Sequence, residues 1–460
     1  MTKYVVAGHF GPDDRLDRRT TEREVLGRFD LGASRPELGF GVAGLFGSLR
    51  KLNVLPSETG IDLLLLALHV HIADIRLNRR TCSEDGWTRQ IAVVVPVSEP
   101  DRWRSATATL KTMLQFLTGD HWEFEFRPRP ASMTVLAPPR IPKLDDPQFD
   151  GVSLYSGGLD SLIGLIDTVA EGEWPLFVSH AGESAVSSPQ NKLFKGVQEA
   201  TADGNRKIDR LRYTARFPRT LIEGAGPENT TRGRSFLFLA LGAMAGSGLG
   251  TTFKLRIPEN GFIALNVPLD PTRLGASTTR TTHPFYLHRW NDLLNITGIP
   301  GTVENRYWKK TKGEMITGCA RPEVLKRFLS LSLSCAHPST SRFNEVRHAH
   351  CGVCVPCLIR RAAIEEARLE RGDPTGYRHG DLRATAFDSM KAEGEQIRGY
   401  QYAIERLHGC PDLARILIHK PGPLAEDIER LDELAGVYSR GMAEVGRLLE
   451  GVRTFSSMMS

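Results

Sequence analysis

Apolar and polar positions follow two rhythms along this chain, and the change between them divides it. Near the start, Ile61–Asp74 (IDLLLLALHVHIAD) is almost wholly apolar and suits a buried helix or strand. Gln90–Val97 (QIAVVVPV) suits a strand, Trp103–Leu117 a helix, and the alternating Trp122–Pro128 (WEFEFRP) a second strand. These runs predict an N-terminal α+β domain over residues 1–148. It closes in the proline-rich passage Arg127–Gln148, which can form neither a continuous helix nor an inner strand. His69 and His71 stand two apart, as on one face of a strand, but no further ligands accompany them, so a core or surface role outweighs a metal site.

From Phe149 the pattern becomes strand, glycine turn, helix, and then repeats. GVSLY leads through SGGLD into SLIGLIDTVAEG, and WPLFVSH leads to the helix-like NKLFKGVQEATAD. Ile208–Phe217 offers a third strand, and Arg234–Gly248 an apolar helix rich in small residues, suited to tight packing on a sheet. Such alternation predicts an α/β core over residues 149–334, a parallel sheet with right-handed crossovers. A cysteine module follows over 335–367. Residues 368–460 turn polar and helical, and Leu424–Val452 carries apolar residues at three- and four-residue spacing, as a covering extension would. No internal repeat is visible.

Composition narrows the function. The 40% apolar and 25% charged fractions are those of a globular protein, and no run reaches the roughly 18 apolar residues of a bilayer crossing. The first residues lack the basic start and long apolar centre of a signal peptide, so a cytoplasmic protein away from membranes is expected. A net charge of +5 over 460 residues gives no reason to expect direct nucleic-acid contact. Of seven cysteines, Cys335, Cys351, Cys354 and Cys357 crowd into one region, which in such a compartment reads as metal ligation rather than disulfides.

The sharpest motif is Ser156-Gly157-Gly158-Leu159-Asp160-Ser161, set between an apolar strand and an amphipathic helix. The glycines let bare N–H groups approach an oxyanion, the helix start adds its positive dipole end, and the two serines supply hydroxyls. Asp160 would repel phosphate unless a divalent cation such as magnesium lay between them. The alternative is an ordinary glycine-containing βα turn. Arg232 and Arg234, in Thr230–Ser235 at the start of the apolar helix, are placed to clamp charge on departing phosphates; ordinary surface arginines are the alternative, and the helix dipole, which disfavours cations at that end, counts against it. The cysteines, three at two-residue gaps and one sixteen positions upstream, can close a tetrahedral structural zinc shell; an iron–sulfur cluster is the alternative.

SGGLDS resembles the SGGxDS signature of the PP-loop ATP pyrophosphatases, whose fold is a Rossmann-like parallel sheet. Members cleave ATP to AMP and pyrophosphate while adenylating a carbonyl-type oxygen. The resemblance implies that Ser179 and His180 lie near the base or ribose, and that Arg232 and Arg234 belong to the family's second ATP motif. Together with Cys…CxxCxxC and the following Leu358-Ile359-Arg360-Arg361, it narrows to the 7-cyano-7-deazaguanine synthase (QueC) family over about Phe149–Ala367. That family turns 7-carboxy-7-deazaguanine into a nitrile with ATP and ammonia. Lys312, in Lys312-Gly313-Glu314-Met315, looks like the family's lysine-containing helix start, able to neutralise phosphate or carboxylate; a solvated surface lysine is the alternative.

The chain departs from that family in length and in one polar region. Glu259, Asn260, Asn266 and Arg273 are candidates to bind a deazapurine, with Glu259 and Asn260 at its guanine-like edge. Arg280 and His283 are candidates to hold a carboxylate or move protons. A long connection rich in turn formers is the plainer reading. The enlarged architecture is similar to the QueC-like branch of Qat anti-phage defence systems (QatC), which implies that a 7-deazaguanine, 7-carboxy- or 7-cyano-7-deazaguanine, is adenylated and passed to a partner protein's N-terminal amine. Two alternatives stay open: a nitrile synthase of queuosine biosynthesis using ammonia, and a silent nucleotide-binding scaffold.

Overall fold

The computed structural model describes residues 2–14, 16, 20–34, 37–137, 149–180, 184–202, 207–215, 217–269, 280–336, 350–369 and 372–457. Two parallel sheets organise them. In the first, β1 (Lys3–His9), β2 (Glu24–Asp30), β3 (Gln90–Val97) and β4 (His121–Pro128) pair in the order β2-β1-β3-β4, every pair parallel. The connections carry α1 (Val42–Lys51), α2 (Glu58–Arg76), α3 (Arg79–Cys82), α4 (Pro100–Ser105) and α5 (Thr107–Thr118). The N-terminal unit is therefore α/β, which corrects the expected α+β. Its inner strand β3 is buried at seven successive positions, the continuous apolar run of a strand covered on both faces. The edge strands β2 and β4 mix buried with open positions.

The second sheet contains β5 (Val152–Leu154), β6 (Leu176–His180), β7 (Arg210–Tyr213), β8 (Phe253–Arg256) and β9 (Gly301–Glu304) in the order β9-β8-β5-β6-β7, again all parallel. The order reverses between β5 and β8, and in open parallel sheets such a switch point opens a crevice beyond the carboxyl ends of the strands. Around this sheet lie α6 (Leu159–Ala170), α7 (Ser184–Ala200), α8 (Arg234–Gly246), α9 (Gly261–Leu265), α10 (Pro284–Thr297), α11 (Lys312–Thr317), α12 (Pro322–Phe328) and α13 (Val355–Glu366). The chain then runs through α14 (Ala392–Gly409), α15 (Leu413–Leu417) and α16 (Leu431–Leu449).

Helix α2 is internal. Ser57 caps it by accepting from Gly60 N at 3.1 Å, and every residue from Gly60 to Asp74 is buried. One side faces the first sheet and another faces α8, so a single apolar cluster spans both sheets. Helix α8 lies tightly on the second sheet, as its small residues predict: a Cβ at Gly242 would stand 2.6 Å from Leu255, and one at Gly246 2.3 Å from Phe253. A separate cluster joins α14, α15 and α16 to the cysteine segment and α9.

His69 and His71 sit on this helix rather than on a strand, and they face different ways. His69 Nδ1 donates to Leu65 O at 2.7 Å and its Nε2 accepts from Gly8 N at 3.0 Å. His71 packs edge-on against His180.

Candidate functional site: a glycine loop at the switch point and a four-cysteine centre

Strand β5 ends at the glycine loop. Gly157 turns the chain with φ of +82°, and a Cβ there would also press on Gln190 at 3.0 Å. Three successive amides meet hydroxyl oxygens: Gly157 N donates to Ser161 Oγ (3.1 Å), Gly158 N to Ser156 Oγ (3.2 Å) and Leu159 N to Ser334 Oγ (3.4 Å). Gln190 Nε2 holds the loop from behind through Ser156 O at 3.0 Å.

Across the switch point, β8 ends before Glu259 and Asn260, and these meet Asp160. Asn260 Nδ2 donates to Asp160 Oδ2 at 2.7 Å, and Lys312 Nζ reaches Asp160 Oδ1 at 2.7 Å. Burial raises the Asp160 carboxyl, but the Lys312 ammonium and hydrogen bonds from Glu259, Lys312 and Asn260 outweigh it and hold the group below its ordinary range. Glu259 moves oppositely, pushed well above its ordinary range by burial and by the neighbouring Asp160 charge. The proton of the acid pair therefore rests on Glu259. Lys312 is fixed at the first turn of α11 by a capping box of Thr311 and Glu314. It is buried, not a solvated surface lysine.

The other expected residues fall into separate places. Ser179 is fully buried, its hydroxyl donating to Tyr155 O at 2.8 Å. His180 ends β6 facing His71 of α2 and Tyr213, and burial, with the nearby Arg234 charge, lowers it to about 3. Arg232 lies 4.6 Å from the centre of the Trp87 ring, lowered to about 10 by burial and by Arg79 and Arg280. Arg280 covers Phe116 at 4.9 Å and donates to its carbonyl at 2.9 Å. His283 is fully buried as the cap of α10, and burial drops it to about 3. Asn266 ends α9 with φ of 44°. Arg273 lies outside the described residues. Glu259 and Asn260 thus join Asp160, while Arg280 and His283 pack against Phe116 of the N-terminal unit.

The sulfurs of Cys335, Cys351, Cys354 and Cys357 all lie within 4.8 Å of one another, with Cys335–Cys354 and Cys351–Cys357 at 3.9 Å. A tetrahedral zinc with bonds near 2.3 Å needs sulfurs about 3.8 Å apart, so the set fits such an ion. The backbone amides of Cys351 and Cys354 point at Cys335 and Cys351 sulfurs, at 3.4 and 3.3 Å. The centre is joined to the glycine loop, because Leu333 N donates to Gly157 O at 2.9 Å.

Several supporting groups were given no site role in the sequence reading. Buried His350 accepts from Ser334 N at 3.1 Å, and buried Arg360 donates to Ser332 Oγ at 2.8 Å. Glu444 of α16 accepts from the Thr311 hydroxyl beside Lys312, and burial raises its carboxyl to about 7. Asp74 of α2 accepts from Gly233 N at 2.6 Å, just where α8 begins. Arg89 holds Asp74 at 3.0 Å and Asp120 at 2.7 Å, and Arg79 grips both Asp120 oxygens at 2.9 Å. One signal was available: Asp74, like Asp62, is an acid within a mostly apolar run, and a buried acid needs a partner.

Fold and site define an α/β protein with parallel sheets, a glycine loop at a switch point, and a four-cysteine cluster that could hold a metal such as zinc. No family model, curated protein or solved structure matches the chain. Among the described residues, no helix is long and apolar enough to cross a membrane.

Proposed function

We propose that this chain is an ATP-dependent adenylating enzyme of the PP-loop class, which activates a 7-deazaguanine carboxylate and passes it to an amine. The observation that carries the reading is the Ser156–Ser161 loop at the switch point, with the Lys312 ammonium paired across it to Asp160. Its three amide hydrogen bonds to hydroxyls, 3.1–3.4 Å long, lie at the weak end of the range. Phosphate oxygens are stronger acceptors and would displace those hydroxyls, which then turn to donate. Lys312 would balance phosphate charge, and Glu259, holding the proton of the acid pair, can donate at the same place. The four cysteines would hold zinc as a structural ion that fixes Ser334 against the loop.

Magnesium fits less simply than the motif suggests. Both Asp160 oxygens already have protein partners, so a metal-bridging role requires Lys312 to release one of them. Following the resemblance to the Qat branch, the acceptor would be a partner protein's N-terminus, and ammonia is the competing acceptor.

The test is pyrophosphate release from ATP with 7-carboxy-7-deazaguanine, comparing the full chain with Gly157→Ala. Release by the parent and a drop of at least about a hundredfold in the variant are expected, since the +82° turn and the anion cradle go together. A folded parent protein that neither binds ATP nor releases pyrophosphate rules the proposal out. Intact mass of partner proteins, set against a search for free nitrile, then decides the acceptor.

A further inference from the structure

Beside the edge of the second sheet lies a cavity that nothing above uses. Its volume is about 600 Å3, within the roughly 300–1,000 Å3 of small-molecule sites. It is walled by β8 and β9, by α9 and α10, and by the start of α16 with the turn before it. Neither the glycine loop nor Asp160, Glu259 or Lys312 is among the described residues of its lining.

The acids of this lining are already matched. Glu173 pairs with Arg256 at 3.1 Å, Glu304 with Lys254 at 3.5 Å, and Asp427 with His288 at 3.0 Å and Arg430 at 3.4 Å. Several donors are not matched. The hydroxyl of Thr282, a residue only 6% exposed, and the indole N–H of Trp308 meet no hydrogen-bond partner among the described residues. His288 gives Nε2 to Asp427, and its Nδ1 likewise has no partner there. The hydrogen bond to Asp427 raises the imidazole above its ordinary range, which favours the charged ring with two donors. Such a lining asks for an acceptor. A single negative charge suits it better than two, because a second would meet the carboxylates of Glu304 and Asp427.

The apolar part of the lining is aliphatic, made by Ala264, Leu265, Pro284, Leu287 and Leu434. Trp308 is the one large ring among its described residues, and the Arg430 guanidinium already lies over it, 5.0 Å from its centre. A flat heterocycle would therefore find little to stack on, whereas a flexible hydrocarbon chain meets branched side chains of its own kind. We propose that this cavity binds a small aliphatic carboxylic acid as its anion, with the carboxylate toward Thr282, His288 and Trp308 and the chain among the leucines. The inference goes beyond the proposed function and does not depend on it.

Calorimetric titration of the full chain with hexanoate, hexanamide and inorganic phosphate tests it. Hexanoate should bind, hexanamide at least about tenfold more weakly for want of the charge, and phosphate not measurably. Three variants, each first shown to melt cooperatively, locate the site. Thr282→Val keeps the shape and removes the hydroxyl, and Trp308→Phe keeps a ring beneath Arg430 and removes the N–H; each should weaken hexanoate at least about threefold. Leu287→Trp fills part of the cavity from α10 and should weaken it at least about tenfold. A parent chain that does not bind hexanoate, or binds hexanamide equally well, overturns the proposal, as does undiminished affinity in all three variants. Phosphate binding that the same variants weaken would show a site for inorganic anions and overturn the aliphatic ligand. Displacement of hexanoate by 7-carboxy-7-deazaguanine would make the cavity part of the adenylation site, and would equally overturn a separate one.

Discussion

Two carboxyls show what position does to a single residue. Asp160 is tolerated in the interior only because Lys312 and Asn260 surround it, so Asp160→Asn strands a buried ammonium. Breaking one side of such a pair costs about 3–5 kcal/mol. The expected outcome is a lower urea midpoint for Asp160→Asn, largely restored in Asp160→Asn/Lys312→Met, where neither charge remains. A double variant no more stable than the single one would show that the pair does not govern stability. Glu444 supplies the opposite sign. Raised from 4.5 to about 7, it keeps in the folded chain a proton that the unfolded chain has already released. Its contribution is therefore full below pH 4.5 and declines as pH climbs through about 7. Glu444→Gln, which keeps an oxygen for the Thr311 hydroxyl, should escape that decline. The variant should gain up to ~3 kcal/mol on the parent protein between pH 4.5 and 7.5 in denaturant titrations; parallel pH curves would contradict this.

At the scale of elements, the cysteine centre organises more than its own loop. Cys354 caps α13, Cys357 lies in its first turn, and Cys335 is preceded by the residues that brace the glycine loop. Replacing Cys351 or Cys354 with serine should therefore lower zinc content, measured by metal analysis, and also loosen the loop, read as faster amide exchange at Gly157–Leu159. The affinity of the proposed zinc would be shared with folding, so chelation should lower the melting temperature by several degrees. Unmoved exchange at the loop in a zinc-depleted variant would separate the two features.

What the sequence disclosed at this scale follows a physical divide. The glycine loop, the small-residue face of α8 and the cysteine spacing are local patterns, and each was readable. Strand pairing was not, because periodicity states how a strand is buried without naming its neighbour. QIAVVVPV and WEFEFRP each read as a strand, but neither run says that the two lie side by side and parallel. The partners of Asp160 come from positions 100 and 152 residues further along, beyond the reach of any local pattern.

For the whole molecule, the N-terminal unit looks separable in sequence but is bound into the second sheet. Helix α2 buries one side against α8, and Asp74 holds the amide at which α8 begins. Removing residues 1–148 would bare the apolar face of α8 and leave Gly233 N without its acceptor, so a chain of 149–460 should be insoluble or molten. Truncation therefore cannot isolate the role of this unit. Asp74→Ala can: it should cost about 3–5 kcal/mol by leaving Arg89 short of a partner. It should also quicken amide exchange at Gly233–Phe236 more than elsewhere. Uniform exchange changes, or a well-behaved 149–460 protein, would show the two units to be independent.

The interior position of α2 also sets an order of events during synthesis. The helix emerges early, but the surface that shields its second side is completed only when α8 has left the ribosome, roughly 110 residues after the N-terminal unit ends. At ~5–20 residues per second, that leaves a nascent chain with an uncovered leucine-rich helix for about 5–20 s. During that interval the helix is a natural substrate for a ribosome-associated chaperone, and slow codons between residues 138 and 246 would lengthen its exposure.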